Sequence, residues 1–499
     1  MHQIISAPDT VIAQQILRRK HSPMNRLPLQ RRSFLKSATQ TLLAAPAVAT
    51  LGHFAQAQSP VVIQLQAAPQ PSAENKSPAR PPLSLNVREY GATGDGKTKD
   101  TLAIQLAIER CSALGGGEVL VPAGDYLTGA LALRSGVCLR IAEGATLNGS
   151  PDMADYPLAE VRWEGRWIKG YIGLISATDA EKIGIVGPGK IVGSPAIRGR
   201  IERPSNLRLP ALIEFVNCKD VRVEGCFTQQ FGMWSIHPVY CERVTFKNLV
   251  INSGADGIDV DSCQHVVIDG CDFHTADDCI SLKSGRGAEA FTLLRTTEDV
   301  LITRCSFVDS SFACIGIGSE TSGGIRGARI EHCKFLGARS HAIYIKSRPG
   351  RGAFIEDIVA DDLDVSGMQA GFLHINMLDS GKHDEFDVPG DEGIPTIANF
   401  RFSNVRVTDV PTLVNASAIH PHKPLEGLTL ANITGTCGKA ITLANVHNAH
   451  IEAIKVTGFA GPLLSIANVT GTGLDGATVV DPPKLPDPVP TPATPYHLH

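Results

Sequence analysis

The chain has 499 residues, long for an ordinary single domain, and its 48 glycines with only 5% aromatic residues suit a long repetitive β architecture better than several compact domains. The formal net charge is -4, with Lys and Arg scattered rather than massed, so there is no basic field of the kind that attracts nucleic acid.

Near the N-terminus, Gln30-Arg31-Arg32-Ser33-Phe34-Leu35-Lys36 precedes an apolar run over 42–51, and Ala55-Gln56-Ala57 comes after that run. That layout over residues 1–57 predicts a twin-arginine export signal, with a signal-peptidase site after Ala57 and an apolar run too short to span a bilayer. A basic amphipathic surface helix is the alternative, and Met24 is a candidate for the true start. The expectation is a periplasmic or secreted protein with no membrane span, handled in transit by the twin-arginine export machinery. Residues 58–84, rich in Pro, Ala, Gln and Ser, read as a disordered linker.

A helix is predicted over 101–114, with Asp100 as its N-cap and with Ile104, Ala107, Ile108 and Cys111 on one face. It would close the open end of a β-solenoid, where a terminal coil would otherwise present unpaired strand edges. From about residue 211 the chain repeats: Asp220-Val221-Arg222-Val223, Arg243-Val244-Thr245-Phe246, His265-Val266-Val267-Ile268 and Asp299-Val300-Leu301-Ile302 share one grammar. Each unit holds a second strand that alternates strictly, as in Ile258-Asp259-Val260-Asp261 and Ile280-Ser281-Leu282-Lys283. Units of 21 to 35 residues with no helix between the strands predict a right-handed parallel β-helix over 85–480. A β-sandwich would need hairpin turns that are absent.

If Ile236, Ile258, Ile280, Ile315 and Ile343 register, the residues two places earlier form a column: Trp234, Asp256, Asp278, Ala313 and His341. Coils lie about 4.8 Å apart, so Asp256 and Asp278 become neighbours with Asp277 beside them, and repulsion should raise at least one of their pKa values. Close carboxyl groups suit acetal hydrolysis, because one can deliver a proton while another orients water. Beside them, His237, Asp259, Lys283, Tyr344, Lys346 and Arg348 are expected to line a groove for an extended acidic polymer, the cations pairing with sugar carboxylates. Cys218, Cys241 and Cys263 recur 23 and then 22 residues apart, which favours a buried column of thiols over disulfides among the twelve cysteines. No spacing marks a metal site, and no cofactor is expected. The segment 379–394 is a candidate wall of the groove. Residues 481–499, with seven prolines, read as a disordered tail.

These motifs, together with Asn86-Val87-Arg88-Glu89-Tyr90-Gly91-Ala92 and Asp277-Asp278-Cys279-Ile280-Ser281-Leu282-Lys283-Ser284-Gly285, resemble glycoside hydrolase family 28, the pectin-cleaving polygalacturonases. The resemblance covers about residues 85–456. It implies that Asp277 is the general acid, that Asp256 and Asp278 activate the inverting water, and that acid and base stand about 6.5 to 9.5 Å apart. Two positions depart from the family: Phe312-Ala313-Cys314 lacks its histidine, and Tyr344-Ile345-Lys346 lacks its arginine. His341 or Arg348 is a candidate to take over those roles. The expected function is hydrolysis of a uronic-acid-containing, pectin-type polysaccharide by a monomer. A calcium-dependent β-helical lyase and a non-catalytic carbohydrate-binding solenoid are the alternatives.

Overall fold

A computed structural model describes residues 83–492 and Tyr496; the twin-arginine reading of 1–57 and all but the last two residues of the linker lie outside the described residues. The described chain winds as a right-handed parallel β-helix. Its ladders are parallel throughout, apart from one antiparallel hairpin, Leu158–Trp163 with Arg166–Tyr171, and an isolated antiparallel bridge between Ile201 and Arg208.

Aliphatic side chains at every second position face inward and stack coil on coil. One column runs Val119, Leu139, Ile185, Val223, Phe246, Ile268, Ile302, Ile330, Ala360, Phe402 and Leu430, and every member is buried. Phe273, Phe307 and Phe335 stack in a second column with ring centroids 5.3 and 4.7 Å apart. Burial of each such side chain is worth about 1.5–3 kcal/mol, which is why strict alternation fixes the register. The stack starts well before residue 211, because Gly117–Val121 and Val137–Ile141 already belong to it. The hairpin and the 193–212 segment interrupt the period there and hide the early coils from a repeat search.

Bends between strands need left-handed backbone. One bend position is occupied in successive coils by Gly225, Asn248, Gly270 and Arg304, with φ of 80°, 51°, 64° and 53°. Glycine and asparagine take that conformation readily, while a residue such as Arg304 costs about 1–2 kcal/mol there.

The helix Thr101–Ala113 forms as expected and buries Ile104, Ala107, Ile108 and Cys111. Asp100 does not cap it. Its carboxylate instead accepts from Thr93 N at 2.7 Å and Gly94 N at 3.0 Å, tying down the preceding turn. All twelve cysteines are free thiols, and all but Cys138 are buried. Residues 481–492 take no regular structure, yet Gly390 N donates to Val489 O at 3.3 Å, so that part of the tail lies against the 379–394 segment. Among the described residues no helix is long and apolar enough to cross a membrane.

Candidate active site

The predicted register holds. Ile236, Ile258, Ile280, Ile315 and Ile343 pair in sequence along one sheet. The residues two places earlier stack as well: Gly257 N donates to Asp278 O at 3.0 Å and Cys279 N to Ala313 O at 3.2 Å. This brings Asp256, Asp277 and Asp278 to one cleft of about 380 Å³, also lined by Glu164, Arg200, Trp234, Lys283, Phe312, Gly318, Ser319, Glu320, Lys346, Ser380, Gly381 and Lys382.

The inner two acids are joined by one hydroxyl. Ser281 Oγ lies 3.1 Å from Asp256 Oδ2 and 3.2 Å from Asp278 Oδ2. Lys283 Nζ donates to Asp256 Oδ2 at 3.1 Å, and Lys346 Nζ to Asp278 Oδ2 at 2.7 Å, while Ala313 N donates to Asp278 Oδ1 at 3.2 Å. Gly316 makes the Lys346 contact possible: a Cβ there would collide with the Asp278 carboxylate and stand 3.2 Å from Lys346 Nζ. Asp277 sits on the open side, its side chain 29% exposed, with its backbone carbonyl held by Thr275 and Ser310 hydroxyls at 2.7 and 2.9 Å. Its carboxylate is paired with Arg200.

Burial pushes the Asp278 carboxyl up to about 6; the Lys346 ammonium opposes this, and the charges of Asp256 and Asp277 add to it. A group in this cluster is raised, as the sequence implies, but desolvation rather than repulsion is the main cause. Burial acts the same way on Asp256, yet the charges of Lys283, Arg200 and Lys346 outweigh it and hold that carboxyl below its ordinary range. Lys283 and Lys346 stay charged because their carboxylate partners overcome burial.

The other expected groove residues fall elsewhere. His237 is buried, with Nδ1 3.0 Å from Glu214 Oε1 and its ring edge against Trp234, and does not face the cleft. Asp259 is wholly buried 2.8 Å from Lys283 Nζ, and burial and the Asp256 charge push its carboxyl well up. Both point outward from the solenoid as alternation requires; insertions cover that face here, anchored by buried pairs of Arg162 with Asp261 at 2.9 Å and Arg208 with Glu214 at 2.7 Å. His341 and Tyr344 lie on the same sheet but outside the cleft lining, with His341 stacked on His374 at 4.8 Å. Burial, with His374 adding, pushes the His341 imidazole down to about 4, and the structure does not bring it beside Asp277 as a stand-in for the missing histidine. Arg348 also lies outside the lining and braces a wall, donating to Gly381 O at 2.7 Å and lying 2.5 Å from His383 Nε2.

Sequence reasoning missed Arg200, Glu164 and Lys382. Lys382 Nζ lies 2.7 and 2.8 Å from the two Glu164 carboxylate oxygens, joining the hairpin tip to the 379–394 segment. All three come from insertions that carry no period; Lys382 falls in the 379–394 segment expected to form a wall, while only the breaks in the repeat mark Glu164 and Arg200.

The family model for glycosyl hydrolases family 28 matches residues 111–456. A Vitis vinifera protein named "Probable polygalacturonase" is 27% identical over 367 residues, covering 70% of this chain and 74% of that one. The exo-poly-alpha-D-galacturonosidase of Dickeya chrysanthemi is 26% identical over 337 residues, 56% of this chain and 54% of its own. In fold, the chain is similar to the crystal structure of a hyperthermoactive exopolygalacturonase from Thermotoga maritima, with a TM-score of 0.63 at 24% identity over 75% of this chain and 92% of that one. A family match over most of the β-helix, together with three acids converging on one cleft, places this chain in glycosyl hydrolases family 28.

Proposed function

We propose that the protein hydrolyses glycosidic bonds of a pectic, uronic-acid-containing polysaccharide by single displacement with inversion at the anomeric carbon. The observation that carries this reading is the meeting of Asp256, Asp277 and Asp278 in one cleft, the inner two sharing the Ser281 hydroxyl. Asp277, the most exposed of the three, is assigned as the general acid that protonates the leaving oxygen. Asp256 and Asp278 are assigned to hold and deprotonate the attacking water, their negative charge supported by Lys283 and Lys346. The polygalacturonase names of the relatives support polygalacturonate as the substrate class. Export by the twin-arginine route and action as a monomer belong to the same reading.

The test is incubation of purified protein with a panel of pectic polysaccharides. New reducing ends from polygalacturonate, lost in Asp277→Asn, support the proposal. Binding without release of reducing ends would point to a non-catalytic solenoid, and products with a conjugated double bond, seen by short-wavelength ultraviolet absorbance, to a lyase.

A further inference from the structure

Four cations line the cleft, and three are committed. Lys283 is buried between Asp256 and Asp259, Lys346 is buried on Asp278, and Lys382 is held by both oxygens of Glu164. Arg200 differs from them. It carries the one guanidinium lining the cleft, its side chain is 37% exposed, and among the described residues its side chain has a single hydrogen-bond partner, Asp277. A guanidinium has five N–H donors in a planar fork matched to a carboxylate, so most of its donors remain open toward the cleft. The backbone beneath it is fixed, because Leu209 N donates to Arg200 O at 2.9 Å and Ile201 pairs with Arg208. The base of the side chain is stationary, and among the described residues a change of partner breaks only its one hydrogen bond, to Asp277.

The pairing of Arg200 with Asp277 conflicts with the role assigned to that acid. The Asp277 oxygen that accepts from the guanidinium is not free to carry a proton toward a leaving oxygen. Something must release it before reaction. We propose that Arg200 is the residue that recognises a substrate carboxylate, and that binding exchanges its partner from Asp277 to the uronate, freeing Asp277 to act as the acid. This rests on the hydrolase reading. The guanidinium passes from one carboxylate to another with no change in charge, and Asp277 takes one proton from solvent. A neutral glycan offers nothing to draw Arg200 away and leaves the acid in its resting pair. Arg200 thereby couples recognition of an acidic sugar to readiness for catalysis.

The test compares the wild type with Arg200→Gln and Arg200→Lys on trigalacturonate and its methyl ester, measuring affinity by calorimetry and turnover by released reducing ends. The expected wild type favours the free acid by roughly tenfold or more, the effect of a charge-assisted hydrogen-bonded pair. Arg200→Gln loses that preference in binding, Arg200→Lys keeps part of it, and turnover of the ester by Arg200→Gln exceeds that of the wild type. A merely structural role for Arg200 would lower both substrates together, and an unchanged acid-to-ester ratio in Arg200→Gln overturns the proposal. Affinity that depends on Arg200 without any turnover leaves the recognition standing and sinks the hydrolase reading instead.

Discussion

Asp256, Asp277 and Asp278 differ in environment more than in position. Asp278 is enclosed and held up to about 6 mainly by burial, whereas Asp256 is held ionised by three cations. If Asp278 serves as part of the base, it must be deprotonated, and its ionised fraction grows as pH rises through about 6. The acidic limb of kcat/KM is therefore expected to rise through that region, read from initial rates against pH; a limb that stays flat down to pH about 4 would contradict the assignment. Asp277→Asn should lower turnover by about 10²–10⁴-fold with an unchanged melting temperature, since the side chain is part-exposed and its backbone anchors remain. The three acids were legible in the sequence because alternation and repeat length place them. The burial of His237 and Asp259 was not, since alternation gives the direction a side chain points but not what covers it.

The coils supply the acids, and the insertions supply the surroundings. Gly316 stands in register between Ser281 and Tyr344, and its missing side chain is the space through which Lys346 reaches Asp278. Gly316→Ala should cost about 1–3 kcal/mol of stability and lower kcat/KM by displacing that ion pair, read from thermal melts and kinetics together. A variant with wild-type values for both would show that the pair does not depend on this close approach. Arg348 acts on a different part, tying Gly381 and His383 into the wall. Arg348→Ala is expected to raise KM severalfold with kcat nearly retained, because the wall loosens while the acids stay in place. Periodic strands announced themselves in the sequence, down to the register of Ile258 on Ile280. The hairpin Leu158–Trp163 with Arg166–Tyr171 and the 193–212 segment obey no period, so Glu164 and Arg200 had no signal beyond the interruption itself.

The solenoid keeps its thiols inside. Eleven of the twelve cysteines are buried as small apolar side chains, and Cys138 alone is partly open. Native protein is expected to react at no more than one cysteine with a thiol-specific reagent and at all twelve once denatured; several fast thiols in the native state would mean that the coils open readily. The mechanism makes a sharper demand on the cleft as a unit, because an acid on the open side and a base pair beneath it have to act on opposite faces of one sugar ring. Proton NMR of the first product released from α-linked polygalacturonate tests this most directly. The geometry predicts that the β-anomer appears first and then mutarotates; an initial α-anomer, or a product with a double bond in the ring, would contradict it.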